Sequence, residues 1–220
     1  MPGIKRTTTI ERTVPAKRSR MSKMTNIMRP VSRLVERKVF DGSVNSFVAN
    51  TGTILVVNGI ASGTDVSGRI GRKVNMLKLQ YGFNFNNTLS RLAASTGGND
   101  LLRISVIYDS QPNGVAPAFN DIYDAAGSVN SSLCLLDVNG FDRFQELAVN
   151  WLQICDGGPN AQHMSRVVNL KRKKVRYQGT GGGIANIATG ALYIVLVTAN
   201  PSDAQTSIVN GQTRLTYVDE

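Results

Sequence analysis

Apolar and polar residues alternate without a break from Leu77 to Phe85: Leu77, Leu79, Tyr81, Phe83 and Phe85 are separated by Lys78, Gln80, Gly82 and Asn84. Only an extended chain sends successive side chains to opposite faces, so this stretch reads as a long strand with one face buried. Leu102, Ile104, Val106 and Tyr108 repeat the pattern and run into Asp109 and the turn Gln111-Pro112-Asn113-Gly114. Further strands are expected at Thr53–Asn58, Phe144–Leu152, Arg166–Tyr177, Ala191–Thr198 and Arg214–Val218. Gly-, Asn- and Ser-rich connections separate them at 61–68, 94–99 and 179–183. One short helix is expected near Ala118–Ala125, after Pro117, with Asn120 or Asp121 as its cap. No βα alternation and no fixed-period repeat is visible. Seven or eight strands joined in this way predict an all-β antiparallel sandwich, Greek key or jelly roll.

The formal charge of +10 over 220 residues is unevenly placed. Residues 1–40 carry 11 basic residues against the two acids Glu11 and Glu36, a net of +9. Residues 41–220 carry 14 basic against 13 acidic residues, a net of +1. The chain therefore divides into a basic arm, 1–38, and a nearly neutral domain, 39–220, long enough for one sizeable core. The arm's candidate phosphate contacts are Lys5, Arg6, Arg12, Lys17, Arg18, Arg20, Lys23, Arg29, Arg33, Arg37 and Lys38. Its first half reads as extended and disordered. Met21, Met24, Ile27 and Met28 then mark a weak apolar stripe on a basic helix that Pro30 ends or kinks. Such a helix suits a piece of core, a membrane surface or a nucleic acid; the arm lacks the Trp, Phe and Leu of interfacial helices, which favours nucleic acid. With no aromatic residue before Phe40 to stack on bases, packaging fits better than recognition. If half of the arm's cations engage a single strand, a tenfold rise in salt should cost ~10⁴ in affinity. Lys17-Arg18-Ser19-Arg20 also fits a nuclear import signal, a pattern common by chance.

Composition closes other routes. Two cysteines, Cys134 and Cys155, and one histidine, His163, speak against a disulfide framework, a structural zinc site or an imidazole-based triad. Cys134 reads as a small core residue and His163 as a surface loop residue. The longest apolar run, 191–197, falls well short of the ~20 residues that span a bilayer, and no apolar stretch follows the basic N-terminus as in a secretory signal. The expected setting is reducing and non-membrane, cytosol or nucleus. Gly179-Thr180-Gly181-Gly182-Gly183 lacks the Gly-Lys-Ser/Thr of a phosphate-binding loop and reads as a flexible connection. Asp109, Asp121, Asp124, Asp137, Asp142 and Glu146 offer carboxylates for hydrolysis or calcium, but most fall at strand ends and turns, where Asp is favoured for backbone reasons.

A second basic patch, Lys171-Arg172-Lys173-Lys174, lies inside a strand pattern. Simple alternation sends Lys171 and Lys173 one way and Arg172 and Lys174 the other. The run reads equally as a strand edge guarded by lysines or as a phosphate-facing surface.

Taken in order, the basic arm, Arg69-Ile70-Gly71-Arg72-Lys73-Val74, Tyr108-Asp109-Ser110-Gln111-Pro112-Asn113-Gly114 with Pro117, Arg143-Phe144, Val175-Arg176-Tyr177-Gln178-Gly179 and Gly190-Ala191-Leu192-Tyr193 form a series. It resembles the capsid proteins of small circular Rep-encoding single-stranded DNA viruses, and is similar to the jelly-roll coats of necrosis-type satellite RNA viruses. The resemblance spans essentially the whole chain. It implies a single eight-stranded jelly roll with a partly helical inward-pointing arm, assembly of many copies into a small icosahedral, T=1-like shell, and a packaged single-stranded genome, DNA favoured over RNA. It implies no enzymatic activity, no membrane, no small-molecule substrate and no cofactor; calcium between subunits occurs in some members, but no motif here carries over a site. The expected location is the virion, with a stage in the host nucleus if the genome is DNA. Interfaces between copies would draw on exposed aromatic residues, with Phe119, Tyr123, Phe141 and Trp151 as candidates. A β-sandwich enzyme or carbohydrate-binding domain with a basic tail is the alternative from another class, and it requires a carboxylate pair or aromatic platform gathered in one cleft. A cellular nucleic-acid-binding protein is a third.

Overall fold

The computed structural model describes residues 36–87, 100–125, 131–154, 161–199 and 207–220. The expected arm helix, the arm cations from Lys5 to Arg33 and Cys155 lie outside them. Eleven strands are described: β1 (Arg37–Val48), β2 (Thr53–Val56), β3 (Lys73–Asn87), β4 (Asp100–Asp109), β5 (Tyr123–Asp124), β6 (Leu135–Leu136), β7 (Phe144–Ile154), β8 (Ala161–Tyr177), β9 (Ile187–Thr189), β10 (Ala191–Thr198) and β11 (Ser207–Asp219). They build one sheet in the order β1-β11-β3-β8-β9 and a second in the order β2-β10-β4-β7, all pairs antiparallel. Without the short β9, each sheet has four strands, and the chain crosses between the sheets in the sequence of an eight-stranded jelly roll.

The alternation from Leu79 to Phe85 is realised in β3. Leu79, Tyr81, Phe83 and Phe85 are buried, with Tyr81 and Phe83 stacked at 5.2 Å and Phe83 and Phe85 edge to face at 6.1 Å. The pattern fails at one point. Leu77 sits at a bulge against β11, and Met76 and Val74 take the inward positions instead. Two strands begin well before alternation shows, β11 at Ser207 rather than Arg214 and β8 at Ala161 rather than Arg166, and β1 carries no alternation that marks it. In β1 only Val44 and Val48 among its apolar residues are buried, too sparse for a period-two signal. Its pairing with β11 along its whole length, Arg37 opposite Val218 to Val48 opposite Ser207, makes it a strand. His163 lies on β8, exposed, and not in a loop.

β10 is buried at all eight residues. One face meets the other sheet; the other is covered by the insertion between β4 and β7. That insertion holds the one-turn helix α1 (Phe119–Ile122), β5 and β6. The helix starts ahead of both expected caps: Ala118 is its N-cap, and Asp121, its third residue, reaches back to accept the Ala118 N–H at 2.7 Å. Phe119, Ile122, Tyr123 and Cys134 join the core beneath it. Phe119 and Tyr123 are therefore not interface residues, a correction to the sequence reading: their rings pack at 5.0 Å inside the domain. Phe141 and Trp151 remain 58% and 51% exposed.

Candidate nucleic-acid interface

Of the eleven arm cations, Arg37 and Lys38 are described, and both lie in β1, inside the boundary drawn at residue 38. Arg37 is exposed. Lys38 is buried, its Nζ donating to Gly68 O at 2.9 Å and lying 3.2 Å from Asp219 Oδ2. This overturns its assignment as a phosphate contact: an ammonium with two internal partners ties the start of the domain to its last strand. Nothing in the local sequence marks it, because inwardness here follows from pairing with β11.

Several domain cations are likewise spent internally. Arg143 grips Asp109 with both arms of its guanidinium, Nε to Oδ1 at 3.0 Å and Nη2 to Oδ2 at 2.9 Å. Arg103 reaches Glu146 Oε1 at 2.7 Å, Ser105 Oγ at 3.0 Å and the Cys134 carbonyl, and lies 4.3 Å over the Tyr123 ring. Tyr123 donates its hydroxyl to the same Glu146 oxygen at 2.7 Å, and burial pushes its phenol well above the ordinary range. Arg69 is fully buried among carbonyls: it donates to Ile60 O at 2.9 Å, to Gly71 O at 2.9 Å and to Gly179 O, over the Tyr177 ring at 4.2 Å. Arg214 forks onto Asp41 at the surface and holds that carboxyl below its usual range.

Four of the six candidate acids have internal roles of the same kind. Asp109 and Glu146 hold their arginines, Asp121 caps α1, and Asp137 accepts the Asn139 N–H at 3.0 Å. Among the described residues no three His, Cys, Asp or Glu side chains gather as a metal site. The glycine run 179–183 is not a slack loop. Gly182 packs on Gly59 so closely that a Cβ on Gly182 would lie 2.5 Å from Gly59 O, and Ser62 donates its N–H to Thr180 O at 2.8 Å. The glycines are there for backbone contact between two segments.

The patch Lys171–Lys174 departs from alternation. Between Asn169 opposite Lys78 and Lys173 opposite Met76, β8 carries three residues where β3 carries one. Lys171 and Arg172 fill this bulge in left-handed backbone, φ 49° and 58°, with the Lys171 N–H held by Asn169 Oδ1 at 2.9 Å. Lys171, Arg172 and Lys174 are exposed, while Lys173 leans inward over the Tyr108 ring at 4.6 Å and bonds Gln145. The expectation that Lys171 and Lys173 share one face is thus corrected by the bulge. A cleft between β7 and β8 runs past these four cations, with Tyr108, Gln145 and Leu147 on its other wall.

The described residues form a two-sheet jelly roll in which Lys38, Arg103, Arg143 and Arg214 are paired with carboxylates of the same domain. The family model of the satellite tobacco necrosis virus coat protein matches residues 10–220, and the chain belongs to that family. No curated protein matches the sequence significantly. Among solved structures, the chain is similar to Desmodium yellow mottle tymovirus, with 10% identity over 89% of this chain and 95% of that one, TM-score 0.33. It is also similar to the empty head of turnip yellow mosaic virus, with 14% identity over 98% and 90%, TM-score 0.34. The family assignment rests on the family model.

Proposed function

We propose that the chain is a shell-forming subunit that assembles in many copies into a small closed, T=1-like particle and packages single-stranded viral nucleic acid through its arm. The observation that carries this reading is the division of charge. The first forty residues hold a net +9, while the domain behind them is near neutral and neutralises Arg103, Arg143 and Arg214 against its own carboxylates. Neutral bodies meet their copies without long-range repulsion, and an arm of high charge offsets genome charge. Phosphate contact is assigned to Lys5, Arg6, Arg12, Lys17, Arg18, Arg20, Lys23, Arg29, Arg33 and Arg37. The likeness of the sequence to the single-stranded DNA virus capsids favours DNA. The family that matches is the satellite coat, the second of the two likenesses, and it moves the reading to RNA. The nuclear stage followed only from a DNA genome and is dropped with it.

Expression of the chain should give spherical particles by electron microscopy, with an ultraviolet absorbance ratio showing nucleic acid. Content lost to ribonuclease after disassembly but not to deoxyribonuclease fits RNA, and the reverse restores DNA. A product that stays monomeric across salt and pH would refute the shell. Removing residues 1–35 should empty the particles and leave the domain folded; removal to residue 38 would also delete the Lys38–Asp219 tie and is the wrong cut.

A further inference from the structure

The sheet register gathers more charge around the β8 bulge than the sequence run reveals. Lys73 and Lys78 on β3 and Lys171, Arg172, Lys174 and Arg176 on β8 are all exposed. Lys78 is opposite Asn169 beside the bulge, Lys174 is opposite Asn75, and Lys73 faces Arg176 directly across the strands. No carboxylate among the described residues forms an ion pair with any of these six. Glu220 reaches Asn75 at 2.7 Å, and Glu146, in the adjoining cleft, is held by Arg103 and Tyr123.

Two features of this face cost the fold. Like charges directly opposite in a sheet destabilise it, and Lys73 faces Arg176. Two successive non-glycine residues in left-handed backbone are strained, and both here are cations. Guarding a sheet edge does not account for the Lys73–Arg176 pair, because β3 lies between β11 and β8 and Arg176 is itself paired with Thr189 of β9. Residues 171–174 of β8 have no β9 partner, but a bulge blunts such an edge without needing two left-handed cations. Both costs are offset if a polyanion lies on the face.

We infer that Lys73, Lys78, Lys171, Arg172, Lys174 and Arg176 form a fixed phosphate-binding surface for single-stranded nucleic acid, separate from the arm. The inference rests on the packaging reading and adds to it an ordered site on the shell domain. This face holds its cations on paired strands, so the nucleic acid would be held in register with the shell.

The test compares the full chain with two charge-removing variants and one that keeps charge. K171N/R172N removes the bulge cations with a residue that tolerates left-handed backbone, and K78Q/K174Q/R176Q removes cations from regular strand positions. K78R/K174R/R176K keeps charge and changes shape. Binding of a labelled, mixed-sequence single-stranded RNA oligonucleotide is followed by fluorescence anisotropy against salt, with thermal melting of each variant alongside. Each lost contact should flatten the logarithmic salt slope by ~0.7, so the triple glutamine variant should lose about two units and the charge-keeping variant none. Unchanged slopes in both charge-removing variants, with melting intact, overturn the site while leaving packaging by the arm in place. Failure of the parent chain itself to bind the oligonucleotide overturns the packaging reading and the site together. A loss confined to heparin binding would assign the face to a sulfated glycan and overturn the inference.

Discussion

Asp109 offers the sharpest test of how the sandwich is held together. Its carboxylate is fully buried and accepts three hydrogen bonds: the two-armed grip of Arg143 and the Gln111 N–H at 2.9 Å. That last bond anchors the turn after β4, and Arg143 anchors the entry to β7, so one side chain fixes both ends of the insertion that covers β10. In Asp109→Ala all three are lost. Hydrogen bonds to charged groups contribute ~1.5–3 kcal/mol each, and the lower figure applies because Arg143 keeps about a quarter of its side-chain exposure and can turn to water. With ~1 kcal/mol for the turn amide, the loss is ~4 kcal/mol, within the ~3–5 kcal/mol seen when a buried pair is broken. Asp109→Asn keeps an acceptor for Gln111 and should cost about half as much. Arg143→Ala strands a buried carboxylate and should cost at least as much as Asp109→Ala. Urea unfolding of the unassembled subunit, followed through the single Trp151, reads these differences at constant m-value; for a domain of this size ~4 kcal/mol also lowers Tm by ~8–16 °C. The reasoning fails if Asp109→Ala stays within ~0.5 kcal/mol of the parent, or if Arg143→Ala is the milder change.

Two further outcomes follow from the packing. Gly190 has φ +80° and leaves a Cβ only 2.2 Å from Lys174 O, so Gly190→Ala should destabilise by ~2–5 kcal/mol from backbone strain and overpacking, read as a lower unfolding midpoint or loss of soluble protein. All six tyrosines are held above their ordinary range, chiefly by burial, and Tyr217 is pushed up to about 12. The folded state therefore favours the neutral phenol: stability is unaffected below pH ~10 and falls as pH climbs through about 12. Tyrosinate absorbance should accordingly rise together with unfolding; a smooth rise near pH 10 in folded protein would refute this.

The all-β class was legible because period-two patterning is a local consequence of a buried sheet face, and β3 and β4 carry it plainly, while β10 shows as a short apolar run buried on both faces. What the sequence concealed is set by partners. β1 has too few apolar residues to announce itself and exists because β11 pairs with it throughout. Leu77 looks like the first buried residue of β3, yet the bulge hands that place to Met76. Lys38 was counted with the arm, although its ammonium closes on Asp219 nearly the whole chain length away. The glycine run at 179–183 looks loose until Gly59 is placed against it. The basic run on β8 was visible, but its neighbours Lys73 and Lys78 became part of one face only through the register of β3.

The pairing of β1 with β11 puts the first and last strands of the domain side by side, with Arg37 opposite Val218 and Glu220 N–H bonded to Lys73 O at 3.1 Å. Entrance and exit of the shell domain thus share a doorway. A payload joined after Glu220 would start beside the first residues of β1, into which the arm leads. A tag meant to leave the arm free belongs instead at the opposite end of the sandwich, in the 49–52 turn between β1 and β2.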